Sequence, residues 1–181
     1  REGRLKIGPW YVLPDEWLVS GESIVRNLQE GMRLAVDLDA QPSRAGFLCD
    51  MFGHAGQMPQ IFGQMGIDSV FIWRGLNEKD FSGLLNWKAP DGTVLPSYRF
   101  GAIGYCSYAI AVRDSRNPDS SIVPDDAVGC LVDFTLLEAR RTPRGPILLF
   151  DGGDHLEIEP RTPELIARAN ERLAEKNIVI V

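Results

Sequence analysis

Short, nearly all-apolar runs alternate with segments of helical spacing along this chain, and that alternation constrains the fold more than any other feature. The apolar runs cover residues 47–49, 69–73, 147–150 and 177–181. Such runs are typical of strands that are buried on both faces of a parallel sheet. Because strands that alternate with helices favour parallel β/α architecture, we expect an α/β fold built on a parallel β/α sheet.

Capping residues and prolines predict where the helices begin. Ser20 is a suitable N-cap for a first helix, with Glu22 in its first turn. The further helices are expected over about residues 57–65, with Gly66 as the stop, from a cap at Asp125 to about residue 140, and from Thr162 and Pro163 to about residue 175.

Other segments carry strand and turn patterns. Residues 5–12 read as a strand close to the start of the chain. Residues 86–95 contain Asp91-Gly92 between apolar pieces, which predicts a hairpin, and residues 115–121 are polar and predict a loop. The chain ends within the apolar run 177–181, and ordinary domains seldom finish within a strand. We therefore expect residues 1–181 to be a segment cut from a larger protein.

Composition excludes several classes of partner. The chain has 181 residues, about the length of one domain, with a net charge of −6 and a pI of about 5.0. An acidic surface argues against nucleic acid and anionic membranes, and no apolar run approaches the ~20 residues of a membrane span. Three widely spaced cysteines without a CxxC pair indicate free thiols in a reducing compartment, so we expect a cytoplasmic protein.

Acidic residues follow several predicted strands, where an α/β enzyme places its chemistry. Because the carboxyl ends of parallel strands share one edge of a sheet, we expect these clusters to lie at that edge. Paired carboxylates at one edge are what glycoside hydrolysis requires. The clusters are Asp15 with Glu16, Asp50 with His54, and Asp151 and Asp154 with His155.

The candidate site residues, Arg74 and the tryptophans among them, also have structural interpretations. Asp50 could cap the next helix, His54 could be a capping or packing histidine, and Arg74 could form a surface ion pair. The glycines of Asp151-Gly-Gly-Asp154 could form a plain turn or could let a ligand approach the backbone. The tryptophans are more often core residues than sugar platforms; they are Trp10, Trp73 and Trp87.

Several segments resemble the family 38 glycoside hydrolases, the retaining, metal-dependent α-mannosidases. The most specific is Cys49-Asp50-Met-Phe52-Gly53-His54, which resembles the family's Asp–x–Phe–Gly–His run around the nucleophile. Weaker matches, in the family's order, are Gly8-Pro-Trp-Tyr-Val-Leu-Pro-Asp15-Glu16, Gly66-Ile-Asp-Ser-Val-Phe-Ile-Trp-Arg74 and Asp151-Gly-Gly-Asp154-His155.

The resemblance implies roles for individual residues. Asp50 would be both nucleophile and metal ligand, and Phe52 would lie beside the bound sugar. Arg74 would hold the nucleophile or a sugar hydroxyl, and Asp154 would contact the substrate. The family binds zinc through two His and two Asp. The His-x-Asp motif that supplies one pair of these ligands is absent here. The downstream region that bears the family's last His ligand and its acid/base is absent as well, so we expect an incomplete zinc site in this chain.

The resemblance also sets expectations for the whole protein. Residues 1–181 would be part of a family 38 catalytic domain, from the middle of a seven-stranded β/α barrel, and inactive when isolated. The partners would be an α-mannoside or related glycan and the remainder of the polypeptide, and a homo-oligomer stays open. The alternatives are a related retaining glycosidase that acts on another α-glycan or a mannosyl conjugate, and a sugar-binding or scaffold domain without catalysis.

Overall fold

The computed structural model describes residues 5–77, 83–113 and 126–181. The polypeptide divides into two compact units, Arg1–Phe100 and Gly101–Val181, and each is described by itself.

The first unit is built on a mostly parallel sheet. Its elements, in chain order, are α1 (Gly21–Asp37), β1 (Ala45–Leu48), α2 (Met58–Gln64), β2 (Ser69–Ile72), β3 (Leu84–Lys88) and β4 (Val94–Arg99). Within the described residues, four strands pair in the order β1-β2-β4-β3. β1 runs parallel to β2 and β2 parallel to β4, while β3 pairs antiparallel with β4. The predicted parallel β/α arrangement is thus confirmed for β1 and β2, the strands that precede Asp50 and Arg74.

The predicted starts of α1 and α2 and the predicted end of α2 are confirmed. Ser20 has extended backbone angles, and its side chain accepts a hydrogen bond from the backbone N–H of Ser23. That bond satisfies one of the unpaired N–H groups of the first turn of α1. α2 ends just before Gly66, whose φ of +75° lies in the region that glycine adopts without strain.

The two strands expected near residues 69–73 and 86–95 are also present. Val70 and Ile72 are buried on one face of β2, whereas Ser69 and Phe71 on the other face are partly exposed. Burial on both faces was expected, and it is complete on one face of the strand. β3 and β4 form the predicted antiparallel hairpin, in which Asp91 accepts a hydrogen bond from the backbone N–H of Thr93.

The predicted strand at residues 5–12 is wrong. Only Ile7 pairs, in a single parallel bridge with Pro42. Gly8 has a φ of +80° and Pro9 lacks a backbone N–H, so the chain turns away from an extended ladder. Trp10 then points inward, where its indole N–H donates to the carbonyl of Phe47 at 3.0 Å.

The core of the first unit lies between the sheet, α1 and α2. Gly46 leaves room for the ring of Phe62, because a Cβ at this position would lie 2.6 Å from that ring. The buried members of this core are Trp10, Ile24, Leu28, Leu48, Met51, Met58, Phe62, Ile67, Val70, Ile72 and Leu95.

The second unit is helical in its described residues. Its helices are α3 (Ser107–Arg113), α4 (Ala127–Arg141) and α5 (Thr162–Leu173), with short 3₁₀ helices at Gly104–Cys106 and Ala174–Lys176. α5 begins at Thr162 with Pro163 in its first turn, as predicted. α3 was not expected from the sequence. The proposed cap at Asp125 and the loop at 115–121 lie outside the described residues.

The strands expected at residues 147–150 and 177–181 are not formed. A strand requires a hydrogen-bonded neighbour, and neither segment joins a ladder with the described residues. Instead, Ile180 exchanges two hydrogen bonds with the side-chain amide of Asn170. Both segments line an apolar cavity of about 380 Å³, with Leu148, Leu149 and Ile178 among its lining residues.

The chain is therefore a mixed α/β structure with a mostly parallel sheet. Closure into a seven-stranded barrel stays a prediction. None of the helices that the structure describes combines the length and apolar character that crossing a membrane requires.

Candidate active site

Asp50 and Arg74 follow neighbouring parallel strands and meet at the carboxyl edge of the sheet. Asp50 comes shortly after β1 and Arg74 shortly after β2. The Nε–H of Arg74 donates to Oδ1 of Asp50. The two side chains are 40% and 39% exposed, so solvent or a ligand reaches both of them. The structure thus confirms that the two residues lie at the same end of the sheet.

A second ion pair joins the opposite ends of the same strands. Arg44 and Asp68 precede β1 and β2, and their side chains are 2.8 Å apart. These side chains are 71% and 57% exposed. In β/α architecture the carboxyl ends of the strands carry catalysis, whereas the amino ends serve stability. The Asp50–Arg74 pair therefore lies at the end where chemistry is expected.

Aromatic rings surround the guanidinium of Arg74. Its central carbon lies 5.3 Å from the ring centroid of Phe52 and 4.2 Å from that of Trp73. Both distances lie within the range of cation–π attraction. Phe52 is 76% exposed, which is unusual for a large apolar side chain. The guanidinium that binds Asp50 is thus bordered by an accessible aromatic face, and such a face can pack against the C–H groups of a sugar.

His54 and Glu16 form a buried pair behind this edge. The side chains are 7% and 0% exposed, and Nδ1 of His54 lies 2.9 Å from Oε1 of Glu16. Nε2 of His54 lies 2.8 Å from the backbone carbonyl of Arg74. The other carboxylate oxygen of Glu16 accepts from the backbone N–H of Ala55 at 2.6 Å. The acidic cluster at Asp15 and Glu16 therefore reaches the Asp50 segment through Glu16.

Two glycines allow the turns of this site to approach other groups. Gly53 has a φ of +134°, and a Cβ there would lie 2.8 Å from the indole nitrogen of Trp17. Gly75 has a φ of +81°, and a Cβ there would lie 3.2 Å from the ring of His54. Both positions combine a backbone conformation that favours glycine with a close neighbour.

The interpretation of Asp50 as a helix cap is wrong. The residue at the N-cap of α2 is Gln57, and it makes no side-chain capping bond. Asp50 bonds to Arg74 across the strands instead. The core interpretation holds for Trp10, which is 9% exposed, and Trp87 is partly buried against the same core.

Cys49, next to Asp50, is a buried thiol. It is fully buried, and burial raises its pKa well above the usual range, with a further contribution from the charge of Asp50. It therefore stays a neutral thiol at physiological pH and acts as a small core residue.

Asp154 lies in the second unit, where it is exposed and accepts a hydrogen bond from the hydroxyl of Tyr105 at 3.2 Å. Asp151, earlier in the same turn, pairs with Arg113 at 2.9 Å. The convergence of Asp154 with Asp50 and Arg74 stays a prediction.

The described residues do not form a zinc site. Across the ranges 5–77, 83–113 and 126–181, no group of three His, Cys, Asp or Glu side chains is placed to hold a metal ion. Both histidines fall in those ranges, and the ring of His54 is already bonded on both nitrogens.

The pairing of Glu16 with His54 could not be read from the sequence. The sequence placed both residues in post-strand clusters, but nothing in its spacing links positions 38 residues apart. Two features of the sequence drew attention to these residues separately: the run Pro14-Asp15-Glu16, and the rarity of histidine, of which the chain has two.

The fold and the site define a class before any comparison is made. A carboxylate at the carboxyl end of a parallel strand, paired with an arginine that an exposed aromatic ring borders, is the kind of arrangement in which β/α enzymes place their catalytic residues. The model of the glycosyl hydrolases family 38 N-terminal domain matches residues 1–131. The chain therefore belongs to glycosyl hydrolase family 38.

Two related proteins agree with the assignment of this chain to family 38. A provisionally named mannosylglycerate hydrolase from Halalkalibacterium halodurans is 35% identical over 105 residues, which cover 51% of this chain and 12% of that protein. Alpha-mannosidase G of Dictyostelium discoideum is 31% identical over 120 residues, or 62% of this chain and 11% of that protein. The chain thus spans about a tenth of the length of these relatives.

A solved structure shows the same fold. An alpha-mannosidase from Enterococcus faecalis V583 superposes with a TM-score of 0.77 at 28% identity. The match covers 96% of this chain and 19% of that chain.

Proposed function

We propose that the full-length protein is a retaining glycoside hydrolase that cleaves α-mannosidic bonds, with Asp50 as its nucleophile. The observation that supports this most is the position of Asp50: it stands at the carboxyl end of β1, 40% exposed and bonded to Arg74, in a family 38 chain. A nucleophile must be both accessible and held in place, and this carboxylate is both.

The roles of the neighbouring residues follow from their contacts. The Asp50 carboxylate would attack the anomeric carbon as the glycosidic C–O bond breaks, and the leaving oxygen would take a proton from the acid/base in the rest of the polypeptide. Water, deprotonated by the same acid/base, would then hydrolyse the glycosyl-enzyme and release Asp50. Arg74 holds Oδ1 of Asp50 and so fixes the direction of attack. Phe52 presents an exposed ring beside the guanidinium of Arg74 and would pack against the sugar. We propose Asp154 as a further substrate contact, on the family resemblance alone.

The described residues do not supply a complete set of ligands for the zinc ion that the family resemblance implies. Asp50 is proposed as one zinc ligand, and the remaining ligands, like the acid/base, would come from the rest of the polypeptide. The described residues offer no set of three donors that could hold a metal ion. For the same reason we expect the 181-residue chain alone to be inactive, since losing a general acid by itself typically costs about 10²–10⁴-fold.

A small mannosyl conjugate is a second candidate substrate. One relative, provisionally named a mannosylglycerate hydrolase, supports it at 35% identity. Such a substrate differs from a glycan mainly in its leaving group, which residues outside the Asp50–Arg74 edge would contact. We further propose a cytoplasmic location, because Cys49, Cys106 and Cys130 are all free thiols.

The experiment uses the purified full-length protein with an aryl α-mannoside, an α-linked mannose disaccharide and mannosylglycerate. We expect hydrolysis of at least one of them, with α-mannose as the first anomer seen by proton NMR. Release of β-mannose first would contradict the retaining mechanism. Binding of mannosides without any turnover would instead indicate a sugar-binding or scaffold domain.

A further inference from the structure

His54 lies between two groups that accept hydrogen bonds. Its Nε2 is 2.8 Å from the carbonyl oxygen of Arg74, and its Nδ1 is 2.9 Å from a carboxylate oxygen of Glu16. A carbonyl cannot donate, so Nε2 must carry a hydrogen. The contact between Nδ1 and Glu16 holds a second hydrogen, shared between imidazole and carboxylate. The His54 ring is therefore fixed at both ends, and its orientation is set.

This arrangement ties three segments together. Glu16 lies before α1, His54 lies in the turn after β1, and Arg74 lies in the turn after β2. Glu16 also accepts from the N–H of Ala55, so it holds both the ring of His54 and the backbone next to it. The ring of Trp87, on β3, packs edge-on against the His54 ring, with the two ring centroids 5.7 Å apart. The His54 ring is therefore also held by packing.

The same turns carry Asp50 and Arg74. The backbone of Arg74 is bonded to His54, while its side chain is bonded to Asp50, which precedes His54 by four positions in the same turn. These two links form a closed ring of contacts between the two turns. If the His54 link is removed, the backbone carbonyl of Arg74 loses the hydrogen bond that ties it to the β1 turn, and Arg74 can shift relative to Asp50.

We propose that Glu16 and His54 are positioning residues that set the placement of Arg74 against Asp50. The proposal rests on the function proposed above for Asp50. Both side chains are buried, at 0% and 7% exposed, so we assign them a role that acts through Arg74 and not through contact with substrate. A misplacement of about 1 Å at a reacting group can cost about 10²-fold in rate, so a link of this kind affects kcat.

Two variants of the full-length protein separate hydrogen bonding from charge. In Glu16→Gln, the amide oxygen can accept from Ala55 while the amide N–H₂ donates to Nδ1 of a neutral His54, and Nε2–H still donates to Arg74. We expect its kcat to stay within about 3-fold of wild type. His54→Phe keeps the ring and removes both bonds, and we expect kcat to fall by about 10–100-fold with KM little changed.

A double-mutant cycle shows whether His54 acts through Arg74. In an Arg74→Ala background, His54→Phe should lower kcat less than about 2-fold, because the group that it positions is gone. A full loss in that background, or wild-type kcat in folded His54→Phe, would overturn the proposal. If His54→Phe does not fold, Glu16→Asp replaces it. The shorter side chain cannot bond Ala55 and His54 together, so an unchanged kcat would overturn the proposal equally.

A structural readout distinguishes this proposal from the proposed function. Crystal structures of the wild-type and His54→Phe full-length proteins should show the Arg74–Asp50 contact present in the first and lost in the second. If the protein does not hydrolyse mannosides, the function is wrong, yet this comparison still decides the positioning role. An Arg74–Asp50 contact that is unchanged in His54→Phe would overturn it.

Discussion

The guanidinium of Arg74 is bonded to the carboxylate of Asp50 across the carboxyl ends of two parallel strands. Arg44 and Asp68 make a comparable bond across the amino ends of the same strands, 2.8 Å long and more exposed. The two pairs share residue types and strands and differ in the edge of the sheet that they occupy. They therefore provide a matched test of whether the carboxyl edge carries the chemistry.

The first prediction uses this match. Arg74→Met should lower kcat on an aryl α-mannoside by about 10–100-fold, because Asp50 loses the group that orients it. Arg44→Met should leave kcat within about 2-fold and change the free energy of unfolding by less than about 1 kcal/mol, as expected for an exposed pair. Steady-state kinetics and urea denaturation of both full-length variants measure these effects. Equal losses of kcat in the two variants would argue against a special role of the carboxyl edge.

The second prediction concerns the packing of α1. Gly31 is buried, and a Cβ at this position would overlap the backbone of Pro9 and Trp10. Gly31→Ala should therefore destabilise the protein by about 1–3 kcal/mol, although alanine favours helices. Gly21→Ala is the control, since nothing lies within 4 Å of a Cβ there. A urea midpoint for Gly31→Ala that equals or exceeds that of Gly21→Ala would show that the contact is not tight.

The third prediction concerns the thiols. Burial raises the pKa of Cys49, so its thiolate is scarce at neutral pH, whereas Cys106 and Cys130 are partly exposed. We expect iodoacetamide to label Cys106 and Cys130 at least about tenfold faster than Cys49 in the native protein, and all three at similar rates in urea. Peptide mapping by mass spectrometry measures the rates. Rapid native labelling of Cys49 would mean that the end of β1 opens readily.

The fourth prediction concerns acid stability. The hydrogen bond from Arg161 lowers the pKa of Glu159 below its usual value of 4.5. A carboxyl with a lowered folded-state pKa stabilises the fold at pH values above its unfolded pKa, and this contribution is lost as the pH falls through the folded pKa. The stability difference between wild type and Glu159→Gln should therefore shrink from about pH 6 to about pH 3. Thermal denaturation across that range measures it, with the exposed Glu171→Gln as control. A difference that does not change with pH would contradict the ionic role of Glu159.

Local signals predicted the elements that depend on neighbours in sequence. Ser20, Gly66 and Thr162 mark helix ends because capping acts within a turn or two. The strand predicted at residues 5–12 failed because Gly8 and Pro9 redirect the backbone despite the apolar side chains. The runs at 147–150 and 177–181 failed for another reason. They are apolar enough for strands, but a strand needs a hydrogen-bonded partner, and the local sequence does not show which segment that partner would be.

The candidate active site shows the same difference between features set by neighbouring residues and features set by distant contacts. The order of strand, acid and glycine turn located Asp50 and Arg74, because parallel strands bring successive strand ends to one edge. The contact of Glu16 with His54 depends on how the segment before α1 packs against the β1 turn, which only the folded structure gives. Gly31 carried no signal either, since its role depends on the backbone that crosses α1 at Pro9.

The most direct measurement is the rate of aryl α-mannoside hydrolysis by Asp50→Asn in the full-length protein, with Asp68→Asn as the matched control. Asn is nearly isosteric with Asp, so the fold should survive in both, but Asn cannot attack the anomeric carbon. We expect a loss of at least about 10³-fold for Asp50→Asn and wild-type turnover for Asp68→Asn. Near-wild-type turnover by a folded Asp50→Asn variant would show that Asp50 is not the nucleophile.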